Sequence, residues 1–125
     1  VDHEKHGYYL LSVNRLIGLT VREQNIVANL VRYHRKQSPT TDDDNFKALN
    51  QKDRVIVTKL SALLRLADSM DVSHANPVTD VTLKEIKSGW LIKLFGKNDL
   101  MLENWSLSKR KALFEEVFGV KLEID

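Results

Sequence analysis

Pro77 separates two hydrophobic rhythms in this chain, and that change constrains the fold more than any other feature. Upstream, apolar residues recur at intervals of three and four, as in helices that bury one side. Downstream they alternate with polar residues, as in strands. The expected class is α+β. A helical lobe of three main helices over 1–75 is followed by a small α/β lobe over 76–125, built from a strand hairpin, a helix and a final strand.

The first helix is expected from about Asp2 to Asn14, with His6, Tyr9, Leu10, Val13 and then Ile17 on its inner stripe. Thr20 is a good N-cap, and Glu23 three residues later completes a capping-box pattern. The helix that follows turns Val27, Leu30, Val31 and His34 inward and ends near Lys36, before Ser38-Pro39. Residues 37–50 read as a polar loop pinned by Phe46 and Leu49. A long helix from about Gln51 to Asp71 carries the stripe Ile56, Leu60, Leu63, Leu64, Ala67, Asp68 and Asp71. Strands are expected over 78–86 and 90–95, joined at Ser88-Gly89. A helix from Trp105 to Phe118 closes on Gly119, and residues 120–124 make a last strand.

A chain of 125 residues with 42% hydrophobic and 29% charged side chains can bury a core. No apolar run approaches the ~20 residues of a membrane span and no signal peptide is visible, so no membrane partner is expected. Cysteine is absent, which rules out disulfides and thiolate metal sites and suits the cytoplasm. A net charge of +2 indicates no dominant field for nucleic acid, and no nucleic-acid partner is expected. The chain opens on Val1 with sequence of mid-domain character, which leads us to expect a longer parent protein.

Two groups of residues carry chemistry. His6, His34 and Asp68 fall one on each successive predicted helix, on its expected inner face. Imidazole and carboxylate projecting from facing helices can hold a divalent metal, with water as nucleophile. A bland alternative stands beside it: a buried imidazole bonded to a carbonyl, and Asp68 paired with Arg65 or Arg35. Arg32, Arg35 and Lys36 flank His34, and Arg65 lies on the long helix. Arginine suits bidentate phosphate recognition, so these residues with His34 form a candidate lining for a phosphate polymer. The competing reading is a solvated helix face with scattered ion pairs. The acidic run at 42–44 lacks the Gly and the terminal Glu of a calcium loop. Trp90 and Trp105 read as core or subunit-interface anchors.

Four blocks carry a family resemblance: His6-Gly7-Tyr8-Tyr9-Leu10-Leu11, Gly18-Leu19, Arg32-Tyr33-His34-Arg35-Lys36, and the run from Leu63-Leu64-Arg65-Leu66-Ala67-Asp68 to Ser73-His74. Together they resemble the C-terminal, HD-like region of the exopolyphosphatase/guanosine pentaphosphate phosphohydrolase (Ppx/GppA) family. The tail, from Leu102-Glu103 to Phe118-Gly119-Val120-Lys121-Leu122, resembles the small α/β end of the same proteins. The resemblance implies a parent hydrolase whose Mg-dependent site and catalytic Glu lie in other, actin-like lobes. It implies polyphosphate or guanosine pentaphosphate as substrate, and a homodimer. It also matches His6, His34 and Asp68 to HD-superfamily ligand positions, although the His-Asp dipeptide is absent from these residues.

The leading expectation is an accessory domain without its own catalytic centre, which binds polyphosphate, supports dimerisation, or both. The alternatives are the remnant of an HD-type metal-dependent phosphohydrolase site and a purely structural dimerisation lobe.

Overall fold

A computed structural model describes residues His3–Asp125; the expected helix start at Asp2 lies outside the described residues. The class is α+β, with helices first and a small sheet after them. The described residues form α1 (His3–Val13), α2 (Val21–Tyr33), α3 (Asp44–Lys47), α4 (Gln51–Ser69), β1 (Val78–Ile86), β2 (Gly89–Gly96), α5 (Met101–Arg110), α6 (Ala112–Phe118) and β3 (Lys121–Ile124). They fall into two compact units that divide within α4, between Ser61 and Ala62.

In the first unit, α2 begins at the expected cap. The Thr20 side chain accepts from the Glu23 backbone N–H at 3.1 Å, and the Glu23 carboxylate accepts from the Thr20 backbone N–H at 2.9 Å. A small core gathers Tyr33, Phe46, Leu49 and Val57, with Ile26 and Leu30 against it. Phe46 and Leu49 pin the loop as expected, and the loop folds a turn of helix, α3, around Phe46.

Periodicity locates α1, α2 and α4 but not their buried faces, and the single helix expected from Trp105 to Phe118 is instead two, α5 starting at Met101 and α6 at Ala112. On α1 the expected stripe is the exposed one: His6, Tyr9, Leu10 and Val13 face outward, as does Ile17 beyond it. The half-buried positions are Glu4, Gly7, Tyr8 and Leu11, also at helical spacing. Gly7 explains the choice, because a Cβ there would stand 2.6 Å from the Val31 side chain. The absence of a side chain lets α1 approach α2 closely. Gln24, a buried polar residue, then ties down the α1–α2 connection. Its amide donates to the Leu11 carbonyl at 2.6 Å and to Asn14, and accepts from the Leu16 N–H at 2.8 Å.

Along α4 the buried residues are Asp53, Val57, Ser61, Ala62, Arg65, Leu66 and Ser69. Leu60, Leu63 and Leu64, expected inside, are exposed. Small and polar residues occupy the inner face because hydrogen bonds satisfy several of them: Ser69 Oγ donates to the Leu66 carbonyl at 2.7 Å.

In the second unit the strand order is β1-β2-β3, with β1 and β2 antiparallel and β2 and β3 parallel. The β1–β2 register pairs Ile86 with Gly89 across a two-residue turn, Leu83 with Ile92 and Val81 with Leu94. A parallel neighbour needs a crossover, which α5 and α6 supply between β2 and β3. The core is Leu66, Ile92, Leu94, Leu100, Leu107 and Leu122, with Trp90 and Phe114 packed against it. Glycine is needed at Gly89 and Gly96, where a Cβ would strike a backbone carbonyl, and is favoured at Gly119. A Cβ on Gly89 would meet the Lys121 carbonyl oxygen at 2.2 Å, and Gly119 ends α6 in the left-handed region at φ 66°. Trp105, expected as a core or subunit-interface anchor, is 58% exposed on α5 and so is not a core residue.

Candidate functional site

The phosphate-lining candidates of the first unit lie at the end of α2. Arg32 and Tyr33 are its last residues, His34 is its C-cap, and Arg35 and Lys36 leave the helix directly after. Cations here complement the partial negative charge of the helix C-terminus.

Arg32 is the anchor of a polar network. Its Nη1 donates to Asn45 Oδ1 at 2.6 Å, and its Nη2 faces Asp43 Oδ1 at 3.4 Å. Tyr33, fully buried, donates its hydroxyl to Asp43 Oδ2 at 2.7 Å. Asn45 Nδ2 donates in turn to Asn29 Oδ1 at 2.7 Å and to the Tyr33 hydroxyl at 3.1 Å. Burial first, and the hydrogen bond to Asp43 second, push the Tyr33 phenol well above its ordinary value. It therefore stays protonated and keeps donating. The network joins α2 to α3 and fixes the direction in which the chain leaves α2.

His34 is half-buried, with Nδ1 2.6 Å from the Val31 carbonyl oxygen. A carbonyl can only accept, so Nδ1 donates in this contact and the ring is oriented by it. Arg35 is half-buried and Lys36 is exposed. The fourth cation, Arg65, belongs to the second unit and is only 7% exposed. Burial lowers its pKa, with the charge of Arg110 as the lesser cause. Arg65 is thus a buried guanidinium rather than a surface cation.

The metal candidates divide similarly. His6 is exposed on α1, and His34 is held at the end of α2. Asp68 is in the second unit, where Arg110 of α5 donates to its carboxylate. Among the described residues, no group of three or more His, Cys, Asp or Glu side chains is gathered as a metal ion requires.

Comparison with known families decides what kind of domain this is. The description "Ppx/GppA phosphatase, domain III" fits residues 1–116. The chain belongs to the Ppx/GppA phosphatase family. It is an accessory domain of exopolyphosphatase-like enzymes, and the expected resemblance holds over nearly all of it.

Within this Ppx/GppA domain III, sequence reasoning missed several partners. Asn45 and Asp43, which hold Arg32, lay inside what read as a plain acidic loop. Arg110, which meets Asp68, lies within the helix expected from Trp105 to Phe118 and carried no signal of this pairing. Asp53, which takes three hydrogen bonds from Arg22, carried no signal beyond its charge. Among the described residues no helix is long and apolar enough to cross a membrane.

Proposed function

We propose that this domain holds a phosphate chain for the rest of a Ppx/GppA phosphatase and contributes no catalytic group of its own. The observation that carries the reading is the exit of α2, where Arg32, Arg35 and Lys36 follow one another around His34. Asp43 and Asn45 hold the Arg32 guanidinium in place, and Lys36 stands exposed just beyond half-buried Arg35 at that turn. A polyanion such as polyphosphate or the phosphate tail of guanosine pentaphosphate is the matching ligand, because its charges repeat along the chain. Mg-dependent hydrolysis belongs, in this reading, to other lobes of the enzyme, and the cytoplasm is its compartment.

Binding of long-chain polyphosphate to the Arg35→Ala/Lys36→Ala double variant tests the role. Loss of about tenfold or more in affinity, with the fold retained, is expected from two phosphate-facing cations. Affinity equal to that of the unaltered chain would remove this turn from the phosphate path.

A second reading, homodimerisation, is favoured by the second unit. β1 is an edge strand, and Leu83 on it is 57% exposed although it sits beside buried Ile92. The two roles are compatible within one domain.

A further inference from the structure

We infer that the outer edge of β1 pairs antiparallel with β1 of a second copy, centred on Thr82, to form a continuous six-stranded sheet. The inference rests on the dimerisation reading above and specifies its surface and register.

β1 has β2 on one side and no strand on the other among the described residues. Thr79, Asp80, Thr82, Leu83, Lys84 and Glu85 are all exposed. The two-residue turn makes Ile86 and Gly89 a hydrogen-bonded pair, so Lys84 and Thr82 also point their backbone groups at β2. Val81, Leu83 and Glu85 then present theirs to the free edge. The Val81 N–H agrees: it is off the ladder and donates to Asp80 Oδ1 at 2.9 Å. A row of such groups is a template for another strand.

The side chains of β1 select the occupant. With Thr82 opposite Thr82 of the second copy, Val81 lies opposite Leu83, and these are the residues whose backbone groups face outward. Asp80 lies opposite Lys84, twice by symmetry, so opposite charges meet at both ends. The Asp80 carboxylate exchanges its contact with Val81 for the facing ammonium. Val81 and Leu83 share the sheet face of Leu94 and Ile92, so pairing extends the core face and covers Leu83. A shift by two residues would set Leu83 against itself and lose the Asp80–Lys84 pairs. An edge strand whose charges served only to repel neighbours would not need to be complementary to itself. Strand pairing alone covers less surface than the ~1,200 Å² of a stable interface, so the association is concentration-dependent.

The chain has no cysteine, so a single introduced thiol reports on one position. Thr82 and its symmetry mate form a non-hydrogen-bonded pair, with Cα atoms about 4.5 Å apart, within disulfide reach. The full chain carrying Thr82→Cys should give a disulfide-linked dimer under oxidised glutathione at least tenfold faster than Glu116→Cys, an exposed control. In sedimentation of the cysteine-free chain, Asp80→Lys should weaken dimerisation by about tenfold, and adding Lys84→Asp should restore it. A dimer indifferent to Asp80→Lys, and cross-linking no faster at 82 than at 116, would overturn the edge pairing while leaving dimerisation standing. A chain monomeric at every concentration would overturn both.

Discussion

Arg22 grips Asp53 through three hydrogen bonds, Nη2 to Oδ1 at 2.8 Å and Nε to Oδ1 and Oδ2 at 3.0 and 3.1 Å. The pair bolts the first turn of α2 to the first turn of α4. Arg22's hydrogen bonds, followed by its charge, hold the buried Asp53 carboxyl below the usual carboxylate range. A depressed folded-state pKa stabilises the fold at every pH above the unfolded value of about 4. The contribution is lost as pH falls through the lower folded value. Asp53→Asn should therefore be less stable than the unaltered chain at pH 7, and the difference should shrink toward pH 2. Urea unfolding across that range measures it; parallel stability curves would show that the pair does not titrate with folding.

Tyr33→Phe keeps the ring against Phe46, edge-on with centroids 5.9 Å apart, and removes the hydroxyl that serves Asp43 and Asn45. The expected cost is about 1–3 kcal/mol, because polar partners stay buried without it. Urea denaturation should show a lower midpoint with an unchanged slope. An unshifted midpoint would mean that the network adds nothing to stability.

Two glycines should respond differently to alanine. Gly18→Ala, at φ 92° with nothing within 4 Å, meets only the backbone cost of about 1 kcal/mol. Gly89→Ala meets that class of cost and also the Lys121 carbonyl oxygen at 2.2 Å, which forces β3 away from β2. Thermal unfolding of both variants should rank Gly89→Ala as clearly the less stable. Equal losses would argue against close β2–β3 contact at Gly89.

Leu107 is fully buried in the core of the second unit. Leu107→Ala should cost about 2–5 kcal/mol, by lost burial and a cavity. Phe118→Ala, at a more exposed site on α6, should cost less. Denaturant unfolding of the two variants checks the order, and the reverse order would misplace the core.

The elements were largely legible in the sequence. The capping box at Thr20 and Glu23, the alternation over 78–86, a turn within one residue of its place at Lys87-Ser88 and the cap at Gly119 are local signals, and local signals survive folding. The orientation of helices was not legible. α1 offers two stripes at helical spacing, and the more apolar one is the outer one, because Gly7 permits a closer approach on the other side. On α4, Asp53 takes an inner position through Arg22 and Ser69 through the Leu66 carbonyl, partners that periodicity cannot see. The site was legible in part. The clustering of Arg32, Arg35 and Lys36 is a sequence fact, but the burial of Arg65 and the engagement of Arg32 by Asn45 depend on residues brought together by folding.

The phosphate-holding role is tested most directly by calorimetric titration of the chain with long-chain polyphosphate at two salt concentrations, with pyrophosphate as control. The role predicts binding of the long polymer that weakens steeply with salt, and little binding of pyrophosphate, because several cations must be met at once. No binding of the polymer at low salt would contradict it and leave assembly as the function of the domain.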